Sequence, residues 1–411
     1  MARKLKSDTV LFITTILLVA LSVVMVYSAS APMALDRYGR ASFFLIKQGM
    51  WALLGIALLY VVMRIDYRFY REPAFIWSCL GLVAFALVAV YFRAPVNGAR
   101  RWFGVGGIGM QPSELAKLAA IFFIAALLER RRHRIDDVGY AVLPIAIVVF
   151  GLVALILPEP DFGTSMSLLM IAAVMVFAAG LSYRYIVGAV LCALPAMYIL
   201  VMGSAYRRRR TLAFLNPWDD PLGDGFQIIQ SLIAIGTGGV WGKGLMNGVQ
   251  KLFYLPEPHT DFIFSVIAEE LGLVGATLVV ICFCVVTWRG LRIALSAPDS
   301  FGAYLALGLT TMVAVQAFVN ISVVLGLMPT KGIPLPFISN GGSSLLINLI
   351  GMGILLNVSQ HASTNENVAQ TFTSGQAAQA FPPSLRSIEA ELRRDPSEAR
   401  SAKAGRPAPG A

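Results

Sequence analysis

The chain is expected to be an all-α, polytopic membrane protein of about ten transmembrane helices, and three observations predict it. Of its 411 residues, 57% are hydrophobic and only 14% charged, a balance outside that of soluble globular chains. Apolar stretches long enough to cross about 30 Å of hydrocarbon recur along its length. Many of the Lys and Arg residues gather in short connections between those stretches, the pattern that the positive-inside rule gives to cytoplasmic loops. The positive-inside rule therefore accounts for many of the residues behind the net charge of +10, and nucleic acid is not implied, because no basic stripe or aromatic-basic interleaving is present. Cys79, Cys192, Cys282 and Cys284 all lie within apolar stretches, so neither a disulfide framework nor a metal-ligand spacing is readable.

Residues 1–8, MARKLKSD, form a basic cytoplasmic tail before the first apolar run. The small residues of YSASAPMA resemble a signal-peptidase site, but a retained first span is expected, because the many spans that follow need a first anchor. Candidate spans cover residues 9–28, 43–63, 74–92, 113–129, 139–157, 163–181, 183–203, 262–288, 301–327 and 342–359. An even count puts both termini on one side. Arg3, Lys4 and Lys6, Arg64, Arg68 and Arg71, Arg130, Arg131, Arg132 and Arg134, Arg184, and Arg289 and Arg292 share that side, which is assigned to the cytoplasm.

The opposite side is basic as well: Arg93, Arg100, Arg101, Arg207 to Arg210, Lys243, Lys251 and Lys331 would all be external. Such a cluster suits an anionic ligand, a lipid-linked phosphate or pyrophosphate. The plainer alternative for Arg207 to Arg210 is pairing with Asp219, Asp220 and Asp224 or with lipid headgroups. A large external loop, residues 204–261, joins spans seven and eight. Within it Phe226 to Ile235 is apolar but too short to cross, and Gly236, Gly238, Gly239, Gly242 and Gly244 follow, which suits a helix at the interface. Irregular backbone at that depth is tolerated only where protein or a wet cavity satisfies it, so a cavity opening outward is expected. The membrane domain spans residues 9–360. Residues 361–411, rich in Ala, Ser, Gly and Pro, are expected to be a disordered cytoplasmic tail in which SLRSIEAELRRD is a candidate partner-binding helix.

Three carboxylates stand out in LPEPHTDFIFSVIAEELG, residues 255–272. Thr260 is placed as the cap of span eight, with Asp261 in its first turn at the outer interface, where the helix dipole favours the ionised form. Asp261 is either a general base at a cavity mouth or a capping carboxylate. Glu269 lies two turns deeper, about 12 Å along the axis. A charge there costs about 2.5–3.5 kcal/mol and persists mostly beside a partner or a wet path, so ion pairing is the favoured reading of Glu269 and Glu270. Glu114 and Lys117 form an i,i+3 pair at the outer end of span four, either a local salt bridge or part of the cavity. Glu159 and Asp161 mark the external turn between spans five and six, where turn and cap chemistry is the alternative. His259 is a turn residue beside prolines and a secondary candidate. No catalytic triad spacing, Walker loop or dinucleotide fingerprint occurs.

Six blocks, NGARRWFGVGGIGMQPSELAKL, LPEPDFGTS, RRRRTLAFLNPW, QSLIAIGTGGVWGKGL, LPEPHTDFIFSVIAEELG and PTKGIPLPFISNGGSSLL, resemble in order the SEDS family, the FtsW and RodA proteins of bacterial division and elongation. The resemblance covers residues 10–360, and PTKG and VYSAS bring it closer to the division branch. It implies a peptidoglycan glycosyltransferase that polymerises lipid II on the outer face of the cytoplasmic membrane, at the septum. A class B penicillin-binding transpeptidase and other divisome membrane proteins would be its partners. By the same resemblance Asp261 is catalytic, Lys117, Glu114 and Asp161 line its cavity, and a divalent cation, Mg2+ or Mn2+, assists, with no ligand set assigned. Arg101, Lys117 and Lys331 would face the departing pyrophosphate. Asn340 departs from the family, which usually has Tyr there. The rival readings are a flippase for the lipid-linked precursor, an elongation polymerase, and a scaffold for the transpeptidase. The absence of an inverted repeat weighs against the flippase.

Overall fold

A computed structural model describes residues 7–93, 100–105, 108–159, 161–203, 205–223, 225–252, 254–330 and 332–361. The expectations for the two tails beyond residues 7 and 361, and for Asp224 and Lys331, lie outside the described residues. Helix α1, Thr9–Tyr38, starts where the Asp8 carboxylate accepts the Leu11 amide at 3.0 Å and stops at Gly39, whose φ of 65° is left-handed. It runs ten residues past the expected span, through Pro32. Then follow α2 (Phe43–Val62), α3 (Pro73–Val90) and a small hairpin of β1 (Phe103–Val105) with β2 (Ile108–Met110), antiparallel with Gly104 opposite Gly109. Next come α4 (Pro112–Arg131), α5 (Leu143–Ile156), α6 (Phe162–Ala178), α7 (Tyr183–Met202), α8 (Ala205–Leu215) and α9 (Phe226–Gly238). The chain closes with α10 (Ile263–Ser296), α11 (Ser300–Val324) and α12 (Gly342–His361).

Ten of these helices, α1 to α7 and α10 to α12, fall on the ten expected spans. The molecule is a multi-pass membrane protein of all-α class. Burial sorts the spans. In α11 and α12, 78% of the most apolar window is buried inside the protein, against 28% in α2 and α3, so α11 and α12 form the centre and α2 and α3 face lipid. Helix α4 is also central, with nearly every residue from Pro112 to Leu128 buried, Glu114 and Lys117 included. That is why it tolerates charges that would be costly against lipid.

The long segment between α7 and α10 departs from a simple connection. Helix α8 and the hairpin were not expected, whereas α9 is the short interfacial helix that was. Its Ile228, Ile229 and Ala234 are buried, and its Ser231 hydroxyl donates to the Val324 carbonyl of α11 at 2.7 Å. Helix α10 breaks at Gly272 (φ 67°). The freed Leu273 and Val274 amides donate to the Gly239 and Val240 carbonyls at 2.9 and 3.2 Å, while Lys243 and Gly244 amides return bonds to the Glu269 and Glu270 carbonyls at 3.0 Å each. The glycine-rich loop thus satisfies the backbone of a broken membrane helix. A β-carbon on Gly272 would stand 2.3 Å from the Gly242 nitrogen, so the crossing admits only glycine.

Candidate active site

Asp261 sits in the turn before α10 and not within its first turn: the helix begins at Ile263, after Phe262, and Thr260 donates to the Glu257 carbonyl at 3.1 Å in place of capping it. Two successive prolines in LPEPHT keep the chain out of helix until then. The turn is pinned by the segment after α11. Asn320 of α11 splits its amide between the Asp261 carbonyl, 2.8 Å, and the Ile333 carbonyl, 2.7 Å. Ser339 donates to the Thr260 carbonyl at 2.6 Å and accepts the Leu335 amide at 2.8 Å. The Asn340 amide donates to the His259 carbonyl at 2.9 Å; the tie is through backbone, so it does not depend on which side chain residue 340 carries. Asp261 itself is half-buried, and its carboxylate lies against Gly332, where an added β-carbon would be 2.9 Å from Oδ2.

On the other flank of Gly332 and Ile333 stands the start of α6, packed so closely that a β-carbon on Gly163 would be 2.5 Å from the Ile333 side chain. Asp161 caps this helix. Its carboxylate accepts the Thr164 amide (3.1 Å), the Thr164 hydroxyl (2.7 Å), the Gln111 amide (2.7 Å) and the Ser113 hydroxyl (3.0 Å). Asp161 is therefore a buried joint between the starts of α4 and α6. One turn into α4, the Lys117 ammonium lies 2.9 Å from both Glu114 oxygens, with both side chains buried. The structure thus brings Asp161 to Asp261 through the 332–333 segment, and Glu114 and Lys117 to Asp161 through the start of α4. Gln111, Ser113, Thr164 and Asn320 were not singled out from the sequence. Only the cap spacing from Asp161 to Thr164 carried a signal for any of them.

Arg101, just before β1, donates its Nε to the Glu159 carbonyl at 2.8 Å. The Glu159 carboxyl is fully buried, and neither oxygen has a hydrogen-bond partner among the described residues. Burial, reinforced by the nearby Asp161 charge and opposed by Arg101, pushes its pKa up to about 8. His259 is buried against Phe44, ring centroids 4.7 Å apart. Burial, with Arg37 and Lys47 nearby, lowers its pKa to about 4. It is neutral at physiological pH; in place of the expected hydrogen-bonding turn residue it is held by packing, with its Nδ1 unpartnered among the described residues.

Glu269 and Glu270 are fully buried and paired. Glu269 accepts from the Lys243 ammonium (2.7 Å) and the Val249 and Gln250 amides (2.9 and 3.2 Å). Glu270 accepts from Lys251 (2.6 Å), the Met246 amide (3.1 Å) and Ser28 of α1 (2.6 Å at the nearer oxygen). This corrects part of the reading of the external charge: Lys243 and Lys251 are held by α10 and are not free to meet an anion.

The fold and this cluster define a polytopic membrane protein with a carboxylate held at one end of its bundle. The family model for FtsW/RodA/SpoVE, described as cell cycle protein, matches residues 8–364. The chain belongs to that family. It is 47% identical over 354 residues to the probable peptidoglycan glycosyltransferase FtsW of Geobacter metallireducens, covering 86% of this chain and 94% of the relative. It is 43% identical over 365 residues to the stage V sporulation protein E of Bacillus subtilis, covering 88% and 99%. A solved chain from a study of a peptidoglycan synthase complex that coordinates polymerization and crosslinking superposes with a TM-score of 0.71 at 33% identity, covering 86% and 97%. The rod shape determining protein RodA of Thermus thermophilus superposes with a TM-score of 0.65 at 29% identity, covering 87% and 98%.

Proposed function

We propose that the chain is a peptidoglycan glycosyltransferase that polymerises lipid II, with Asp261 as its general base. The observation that carries this reading is the half-buried Asp261 carboxylate, held by a pinned backbone at one end of the bundle and tied through Gly332 and Ile333 to the helix start that the buried Asp161 caps. Membership of the FtsW/RodA/SpoVE family supports it. A membrane fold suits the chemistry: both substrates keep polyprenyl tails in the bilayer while their headgroups react at its surface. The 4-hydroxyl of one disaccharide attacks the anomeric carbon of another, Asp261 takes the hydroxyl proton, and the polyprenyl diphosphate departs with inversion. Arg101, whose terminal nitrogens have no partner among the described residues, and Lys331 stabilise the departing charge, with Lys117 contributing from within its pair.

A divalent cation, Mg2+ or Mn2+, fits only as a companion of the substrate's phosphates. Among the described residues no three His, Cys, Asp or Glu side chains gather, and Asp161 already accepts four hydrogen bonds. Magnesium commonly uses one or two carboxylates plus substrate phosphates; no step is assigned to it. The partner is a class B penicillin-binding transpeptidase within the division machinery, the site is the septal inner membrane, and both termini are cytoplasmic. The flippase alternative needs titratable groups along a path through the membrane, and Glu269 and Glu270 are both neutralised by lysines.

The test is polymerisation of labelled lipid II by the purified chain with its transpeptidase. Asp261→Asn is expected to lower glycan synthesis by about 100-fold or more, with thermal unfolding and partner co-purification unchanged. Undiminished synthesis by that variant removes the assignment, and lipid II transfer across vesicles without chain growth would favour the flippase.

A further inference from the structure

A cavity lies away from the candidate active site, at the other end of α10 from Asp261. It encloses about 390 Å³ between the start of α1, the last two turns of α10 and the end of α12, a volume within the range of about 300–1,000 Å³ of small-molecule sites. Asp8, which lines it, is already committed. Its carboxylate caps α1 through the Leu11 amide at 3.0 Å and accepts Arg289 of α10 at 2.6 and 2.8 Å, while its amide donates to the Ser359 hydroxyl of α12 at 3.1 Å. These bonds fix the wall. Arg292, one turn further along α10, also lines the cavity and is exposed, and its guanidinium makes no ion pair or hydrogen bond among the described residues. The Ser296 and Ser359 hydroxyls donate to carbonyls of their own helices at 2.9 and 2.7 Å, so the charged donors left for a ligand are those of Arg292. Two arginines against one carboxylate leave one positive charge in surplus.

The surroundings are those of a membrane–water boundary. Helix α1 starts here and α10 and α12 end here, and Trp288, one turn before Arg292, is exposed, as tryptophans are at the level of lipid headgroups. Val10, which lines the cavity, begins an exposed apolar stripe with Ile13 and Leu17 on one face of α1. An apolar track therefore leads from the cavity along the lipid-facing side of that helix. A cation beside such a track complements a phosphate that carries an acyl chain. A headgroup bearing an ammonium fits less well, because Asp8, the carboxylate that lines the cavity among the described residues, is already paired with Arg289. We infer that this cavity binds the phosphate of an anionic phospholipid through Arg292, with one acyl chain lying along Val10, Ile13 and Leu17. A lipid held there braces the packing of α1 on α10 and stabilises the folded chain by mass action.

The experiment titrates the full chain, purified in neutral detergent and stripped of lipid, with phosphatidylglycerol, and follows retained lipid by native mass spectrometry together with thermal unfolding. Phosphatidylglycerol should be retained as a single tight adduct and raise the unfolding temperature as it saturates, and phosphatidylethanolamine should bind at least about fivefold more weakly. Arg292→Gln should weaken phosphatidylglycerol binding about tenfold and leave the lipid-free unfolding temperature unchanged, because the guanidinium has no protein partner to lose; Arg292→Lys should recover most of the affinity. Arg64→Gln is the control. Arg64 follows α2 at the same end of the bundle, where Asn357 of α12 donates to the Met63 carbonyl at 2.9 Å, yet it lies outside the cavity, so binding should not change. Wild-type retention by Arg292→Gln overturns the inference, as does equal weakening by Arg64→Gln, which would mean attraction to surface charge in general. Equal binding of phosphatidylethanolamine would also sink it, and competition by inorganic phosphate or glycerol phosphate at millimolar concentration would make the ligand a soluble anion in place of a lipid.

Discussion

One amide, that of Asn320, holds the carbonyls of both Asp261 and Ile333, so the position of the candidate base depends on a side chain from a different helix. Asn320→Leu keeps the branched shape but removes the donor shared by the two carbonyls, a loss of about 1–3 kcal/mol each. The variant should unfold at lower temperature and also lose kcat. Gly332→Ala separates the two effects. Its new β-carbon would stand 2.9 Å from Asp261 Oδ2, which forces the carboxylate aside while the backbone ties remain. Polymerisation should fall about 10- to 100-fold with little change in thermal unfolding; a wild-type rate would mean that the Asp261 position is not critical. Asp261 was legible as a carboxylate at the edge of a membrane span, read equally as base or cap, and only the family resemblance assigned it catalysis. Gly332 and Asn320 were not, because glycine and a lone asparagine acquire meaning only once the segment after α11 is folded against that turn.

At the scale of elements, the break in α10 and the glycine-rich loop are one construction. The sequence displayed both halves, a glycine run and a pair of glutamates in a span, and each was read separately: the first as irregular backbone at the interface, the second as ion pairs. Their joining was hidden because 26 to 34 residues of chain separate the backbone partners, and neither periodicity nor local propensity carries that pairing. The seven described helices long and apolar enough to cross a membrane were legible for the opposite reason, since the apolar length needed to cross a bilayer is a local property. Helix α8 was missed because its arginine run dilutes any apolar face. The joining predicts an order of sensitivity. Lys251 is 5% exposed and closes a triad with Glu270 and Ser28 of α1, so Lys251→Ala should destabilise the protein by about 3–5 kcal/mol by stranding a buried charge. The Lys243 side chain is 31% exposed, and Lys243→Ala should cost less because water reaches the stranded Glu269 more readily. Thermal unfolding in detergent and protease cutting near residues 240–250 measure both; equal, small effects would mean that the loop is not anchored through these pairs.

For the molecule as a whole, two buried groups in the turns between helices set opposing pH dependences. Glu159 has its pKa raised from 4.5 to about 8 by burial and Asp161, so the folded state binds its proton more tightly than the unfolded chain. That contribution is complete below about pH 4.5 and is lost as the pH rises through about 8. His259 has its pKa lowered from 6.5 to about 4 by burial and by Arg37 and Lys47. Its contribution is complete above about pH 6.5 and is lost as the pH falls through about 4. Between about pH 4.5 and 6.5 the two slopes cancel; above about 6.5 only the Glu159 slope remains, so stability declines toward about pH 8. Both groups lie in the turns around the candidate site, between α5 and α6 and before α10, so a change in their protonation reaches the site before the bundle. The expected outcome is an unfolding temperature that is level from about pH 5 to 6.5 and falls from there to about 8. Glu159→Gln should level the alkaline part, and His259→Gln should expose the full decline from about pH 4.5 upward that the histidine otherwise offsets. An alkaline decline that survives Glu159→Gln would show that another group carries it.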